Sequence, residues 1–369
     1  MTNAHAPTDM VDWGLAVATA RRLSRPGPEV TITEAREVVA DLRRFAAESE
    51  APVREFTGLD GSGHAAPIVV VDRGGWAQAN ADGMRELITP LTDKLRAARG
   101  GSGTTLIDQV GPKVTGLETG ALLAFLSGKV LGQFDPFWTD GAGSAGRLLL
   151  VAPNVVHVER ELQVDPRDFR MWVCLHEETH RVQFTAVPWL QDHLRQQIEM
   201  FVDATDTDAS ALLARLREVA RTLVRGAQPG GESASLLDVV QSPAQREVID
   251  RVTAVMSLLE GHAEVVMDGV GPEVVPTVDN IRKKFQRRRT SPRGLDRTAR
   301  RLLGLDAKMR QYRDGAKFVR TAIDRLGMAG FNRVWESADT LPTLPEITDP
   351  VAWVRRVGER SALPTTEAS

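Results

Sequence analysis

Apolar positions recur at helical spacing along most of the chain. In "MVDWGLAVATARRLS" they fall at Val11, Leu15 and Ala18, with Leu23 near the end. "TITEAREVVADLRRFAAESEAPVREFTGL" predicts a second helix that starts as a capping box, Thr31 followed three positions on by Glu34. After the breaker-rich "DGSGHAAP", the run "IVVVDRGGWAQANADGMRELITPLTDKLRAA" predicts a short strand or turn leading into a helix. "VTGLETGALLAFLSGKVLGQFDPF" is apolar enough for a buried helix, although Gly120 and Gly128 weaken it. The clearest strand signal is "GRLLLVAPNVVHVEREL", ended by Pro153 and Asn154; "RLLLVAPNVV" suits equally an open edge that aligns a peptide or a buried strand. Asp165 and Pro166 then form a strong start for the helix "RDFRMWVCLHEETHRVQF".

From "VPWLQDHLRQQIEMFVDA" onward the pattern stays helical, interrupted by "DATDTDAS" and "GAQPGGESAS". A long helix is predicted over "AQREVIDRVTAVMSLLEGHAEVVMDGV", and others over "DNIRKKFQRR", "GLDAKMRQYRDGAKFVRTAIDRLG" and "MAGFNRVWES". "DTLPTLPEITDP" reads as a proline-rich surface strap and "LPTTEAS" as a frayed end. The chain has no fixed-period repeat. It is predicted to be mainly α with a minor β-sheet before the helix that carries the histidines.

Composition narrows the classes without choosing among them. The 369 residues, 42% hydrophobic and 26% charged, suffice for a sizeable core, and a formal net charge of −3 gives no overall pull toward nucleic acid or anionic lipid. The longest apolar run, "GALLAFLSGKVLG", is interrupted by Lys129 and too short to span a bilayer, so no membrane insertion is expected. The first residues lack a basic segment ahead of an apolar one, and the single cysteine, Cys174, excludes an intramolecular disulfide; a cytoplasmic location is the expectation.

Chemistry concentrates in "HEETH". His176 and His180 stand one helical turn apart, so both imidazoles can face one metal ion, and Glu177 stands beside them. This is the spacing of a zinc hydrolase in which two histidines hold zinc and the glutamate takes a proton from water. Zinc needs a third protein ligand. The extended form with glycine and histidine at positions 183 and 186 is absent, because those positions hold Gln183 and Ala186, and His193 lies too far along a continuing helix. "SLLEGHAEVVMD" places acids in an apolar helical run: Glu260 is the candidate third ligand, and Glu264, one turn on, can steady a ligand imidazole from behind. Those acids would also suit the polar face of a long helix. His262 points away from Glu260 on an ideal helix, which suits the pocket rim or a different ligand set. His262 and Tyr312, the single tyrosine, are candidate donors to a developing oxyanion.

"HEETHRVQF", followed by "LLEGHAEVVMDGVGPEVVP" and "IRKKFQRRR", resembles the zincin-like hydrolases widespread in actinobacteria, some of them labelled as associated with biosynthesis of a deazaflavin coenzyme. The resemblance extends to "VDWGLA" and "LLLVAPN" and so covers nearly the whole chain. It implies one zincin-like metallopeptidase domain over residues 1–369, with a helical N-terminal segment over residues 1–140, a metal-site core over residues 141–335 and a strap and tail over residues 336–369. It also implies zinc, one per chain, on His176, His180 and Glu260, with Glu177 as base. One departure is that about 80 residues separate His180 from Glu260, more than in compact glutamate-zincins.

The expected activity is zinc-dependent hydrolysis of a peptide or small amide substrate. The alternative is an interaction or scaffold protein that keeps a zincin-like fold around structural zinc. The basic stretch at residues 282–301, with Arg282 and Arg288, raises nucleic acid as a partner, but Phe285 is its only aromatic and no nucleic acid is expected. "VDRGGW" and "GSGTT" are too short to cradle a phosphate, so no organic cofactor site is expected.

Overall fold

The computed structural model describes residues 10–60, 66–98, 106–141, 146–204, 242–290 and 305–358. Asp12 caps α1 (Trp13–Leu23) and Thr31 caps α2 (Ile32–Thr57), each side-chain oxygen accepting from a backbone N–H three residues on. Strand β1 (Ile68–Val71) leads into α3 (Arg73–Ala98), and α4 (Leu106–Ser127) leads into β2 (Gly132–Asp135) and β3 (Arg147–Val151). Then follow α5 (Ala152–Leu162), α6 (Pro166–Ala186) and α7 (Pro188–Asp203). The later helices are α8 (Pro243–Val274), α9 (Val278–Thr290) and α10 (Leu305–Phe331), and the last described residues form short turns and the helices α11 (Leu344–Thr348) and α12 (Pro350–Trp353). Among the described residues the protein is mainly helical with one three-stranded sheet, and no helix there is long and apolar enough to cross a membrane.

The sheet divides two cores. Its order is β1-β3-β2, with β1 parallel and β2 antiparallel to β3. Side chains alternate along the central strand: Leu148 and Leu150 join the larger core with α2, α6, α8 and α10, whereas Leu149 and Val151 join Val11, Trp13, Val17, Trp76 and Leu123 on the other face. A strand buried on both faces explains its unbroken apolar run. Being central, β3 takes the buried alternative of the two that its sequence suits, and β2 is the edge next to it. The strand is also shorter than its signal: Pro153, which cannot donate to a ladder, sits in the first turn of α5, and "NVVHVEREL" is helical.

Three further expectations are corrected. The buried face of α1 is Trp13, Ala16, Val17 and Ala20, while Leu15 and Ala18 are not buried and Leu23 is 56% exposed. The cause lies in α4, where a Cβ on Gly116 would stand 2.6 Å from the Asp12 carbonyl oxygen and one on Gly120 2.5 Å from that of Ala16. The backbones touch there, so small residues and not leucines fill the contact. The apolar run through α4 ends at Ser127 and gives way to β2 instead of continuing as helix. The strap is no surface feature either: Leu341, Ile347 and Trp353 are core residues, and Trp353 donates to the Thr340 carbonyl at 2.8 Å. "LPTTEAS", "GAQPGGESAS" and residues 291–301 of the basic stretch lie outside the described residues.

Candidate metal centre

Helix α6 begins as its sequence predicts: Asp165 accepts from the Asp168 N–H at 2.9 Å and Pro166 takes the first helical position. From Phe169 to Gln183 every residue is buried except Arg170, His176 and His180. Arg170 is taken up by ion pairs to Asp41 and Glu159. The two histidines therefore form a partly open patch on an otherwise covered length of helix.

Both rings turn Nε2 toward a common point. The two Nε2 atoms lie 3.3 Å apart, and Glu260 of α8 brings Oε2 to 3.7 Å from His176 Nε2 and Oε1 to 3.9 Å from His180 Nε2. The three ligand atoms lie within 4.8 Å of one another. Atoms placed tetrahedrally at zinc's usual ligand distances stand roughly 3.3–3.5 Å apart, so the donor set fits zinc with small adjustments. Among the described residues it holds three protein ligands, two imidazoles and a carboxylate, and all three side chains are partly exposed.

The far nitrogens are engaged too. His180 Nδ1 lies 2.9 Å from Gln183 Oε1, and His176 Nδ1 lies 3.2 Å from Met267 Sδ. Neither Gln183 nor Met267 stands out in the sequence as a site residue. Their signal is spacing: Gln183 is three residues past His180 on one helix face, and Met267 is two turns past Glu260 on another.

The two glutamates of "HEETH" face different surroundings. Glu177 is buried against β2, where a Cβ on Gly132 would lie 2.5 Å from its Cδ and Cγ. Phe134, on the same face of β2, stacks on Phe184 of α6 at 5.3 Å and holds the strand there. Burial, and then the negative charge of Glu260, push the Glu177 carboxyl well above the usual carboxylate range. Glu178 lies on the other side of α6, where Arg181 donates to both its oxygens and also to Glu50 of α2.

The remaining expected site residues lie elsewhere. His262 is fully buried behind Gln183, packed on Phe331 and Trp335 at 5.5 Å, and therefore not at a pocket rim. Burial, then the neighbouring His180, push it down to about 3 and keep it neutral. Glu264 does not reach a ligand imidazole: it accepts from Arg320, which also binds Asp268. Geometry explains this, because one turn beyond Glu260 the face of α8 meets α10 instead of α6. Tyr312 belongs to α10, but its side chain lies outside the described residues. His193 packs on Trp189, away from the cluster. Of the basic stretch, Arg282 pairs with Asp268 and Arg288 with Glu161.

Comparison with known proteins gives a family and a structural likeness. A crystal structure from Chloroflexus aurantiacus, described as that of a "putative hydrolase with a novel fold", is 29% identical to this chain, with a TM-score of 0.67 over 94% of this chain and 99% of that one. No curated protein matches. The model of the zincin-like metallopeptidase family matches residues 11–354, which takes in the whole sheet and all three candidate ligands, and the chain belongs to that family.

Proposed function

We propose that the protein is a zinc-dependent hydrolase of peptide or related amide bonds. The observation that carries this reading is the convergence of His176, His180 and Glu260 beside a buried Glu177. A zinc ion held by those three residues supplies Lewis acidity, which makes a substrate carbonyl more electrophilic and a water more acidic. Glu177 is the group that takes the water's proton and passes it to the leaving amine. Among the described residues three protein ligands, not four, gather at the site, which would leave a coordination position for substrate and favours chemistry over a structural role.

Protein purified without chelator is expected to hold about one zinc per chain, and His176→Ala, His180→Ala or Glu260→Ala to lose it. A peptide library turned over by zinc-loaded protein but not by Glu177→Gln identifies the substrate. Stoichiometric zinc that survives all three alanine changes would overturn the ligand set.

A further inference from the structure

Gln183 is completely buried, and its amide touches three groups. Its Nε2 lies 3.0 Å from the Leu259 carbonyl oxygen and 2.9 Å from His262 Nδ1, while its Oε1 lies 2.9 Å from His180 Nδ1. A backbone carbonyl can only accept a hydrogen bond, so the amide's NH2 end must face Leu259. The oxygen end then faces His180, and an amide oxygen can only accept, so the proton of neutral His180 sits on Nδ1. That leaves the Nε2 lone pair directed at Glu260 and His176, where a metal ion needs it. The second amide hydrogen points at His262 Nδ1, which must accept, so His262 carries its proton on Nε2. This nitrogen has no hydrogen-bond partner among the described residues.

We infer that Gln183 is a positioning residue that fixes His180 in its metal-binding tautomer, with the Leu259 carbonyl setting the direction of the amide. The inference rests on the proposed metal site for its purpose, but not for its evidence, since every contact lies within the chain. Three features fit a built device. The amide bridges the two ligand-bearing helices, so the orientation of an α6 ligand depends on the α8 backbone one residue before Glu260. Full burial closes the amide off from solvent that could offer His180 another partner. An acid at 183 would keep the acceptor for His180 but would need a proton to satisfy the Leu259 carbonyl, a requirement that the amide meets without titrating.

The test reads the imidazole directly in metal-free protein. Nitrogen-15 correlation spectra at about pH 8.5, where imidazoles are neutral, are compared for wild type, Gln183→Leu, Gln183→Glu and His262→Phe. His180 is expected on Nδ1–H in wild type and in Gln183→Glu, whose side chain keeps an acceptor oxygen whether or not it is ionised. His262→Phe should leave His180 unchanged, because the Leu259 carbonyl still directs the amide. Gln183→Leu should shift the proton toward Nε2, and zinc affinity measured by chelator competition should fall roughly 10- to 100-fold, with Gln183→Glu recovering most of it. A wild-type His180 protonated on Nε2, or an unchanged tautomer in folded Gln183→Leu, overturns the inference. If the tautomer shifts as expected while wild type binds no zinc, the positioning role stands and the hydrolase reading falls.

Discussion

Replacing Gly132 by alanine tests the catalytic geometry through one added methyl group. Gly132 is not among the residues with positive φ, so alanine takes its backbone without strain, and the effect comes from the Cβ alone. That Cβ would lie 2.5 Å from Glu177 Cδ and Cγ and 2.8 Å from Oε1, against an ordinary contact of at least 3.4 Å. Glu177 must therefore move by about 0.9 Å (3.4 − 2.5). A displacement of about 1 Å at a reacting group costs on the order of 100-fold in rate. Overpacking costs about 1–3 kcal/mol of stability, and the lower end is expected, because the atoms that shift are the end of a side chain. The three atoms nearest the added Cβ all belong to Glu177 and none to a candidate metal ligand. On a peptide that wild type cleaves, kcat/KM for Gly132→Ala should fall about 100-fold with zinc content unchanged. A kcat/KM close to that of wild type in folded, zinc-replete variant would refute a role of β2 in placing Glu177.

Other changes separate the roles of neighbouring acids. Glu177→Gln should keep zinc and lose turnover by at least about 100-fold, read by metal analysis beside the peptide assay; equal activity would exclude Glu177 as base. Arg181→Met strands Glu178 in the interior without its bidentate partner and should cost about 3–5 kcal/mol in chemical denaturation. Glu264→Gln removes only a partner of Arg320 at an exposed pair, so zinc affinity and turnover should stay within about twofold; a clear loss in either would restore the orienting role its sequence position suggests. At Glu346, burial alone would raise the carboxyl, but the hydrogen bonds and charge of Arg356 and the Thr343 contacts outweigh it and hold the group below 4.5. Its stabilising effect is therefore full above pH 4.5 and lost as pH falls through the lowered folded value, so the Tm deficit of Glu346→Gln should be present at neutral pH and vanish in acid.

Much of the centre is legible in the sequence because its signals are local. One turn separates His176 from His180, Asp165 and Pro166 mark where their helix begins, and Glu260 stands out as an acid in an apolar run. What is not legible depends on which surfaces meet. Strand β2 has four residues, begins with glycine and offers only Phe134 as a buried apolar side chain, so no periodicity betrays it. The buried side of α1 follows from the glycines of α4, not from its own leucines. In sequence Gln183 is only the missing glycine of another metalloprotease pattern, because its meaning lies in the Leu259 carbonyl across the helix interface. Glu264 shows the converse error: correct spacing on its own helix, but a neighbouring helix that presents an arginine.

Glycine also governs how α8 meets α10. A Cβ on Gly261 would lie 2.2 Å from the Gly315 carbonyl carbon, and one on Gly315 would lie 2.0 Å from the Ser257 carbonyl oxygen. A slip of α8 by one position would drive Glu260 or His262 into that backbone, which excludes both adjacent registers. The third candidate ligand thus takes its place from a steric lock next to it in sequence. A single methyl group at Gly261 or Gly315 would therefore displace the third candidate ligand from the two histidines.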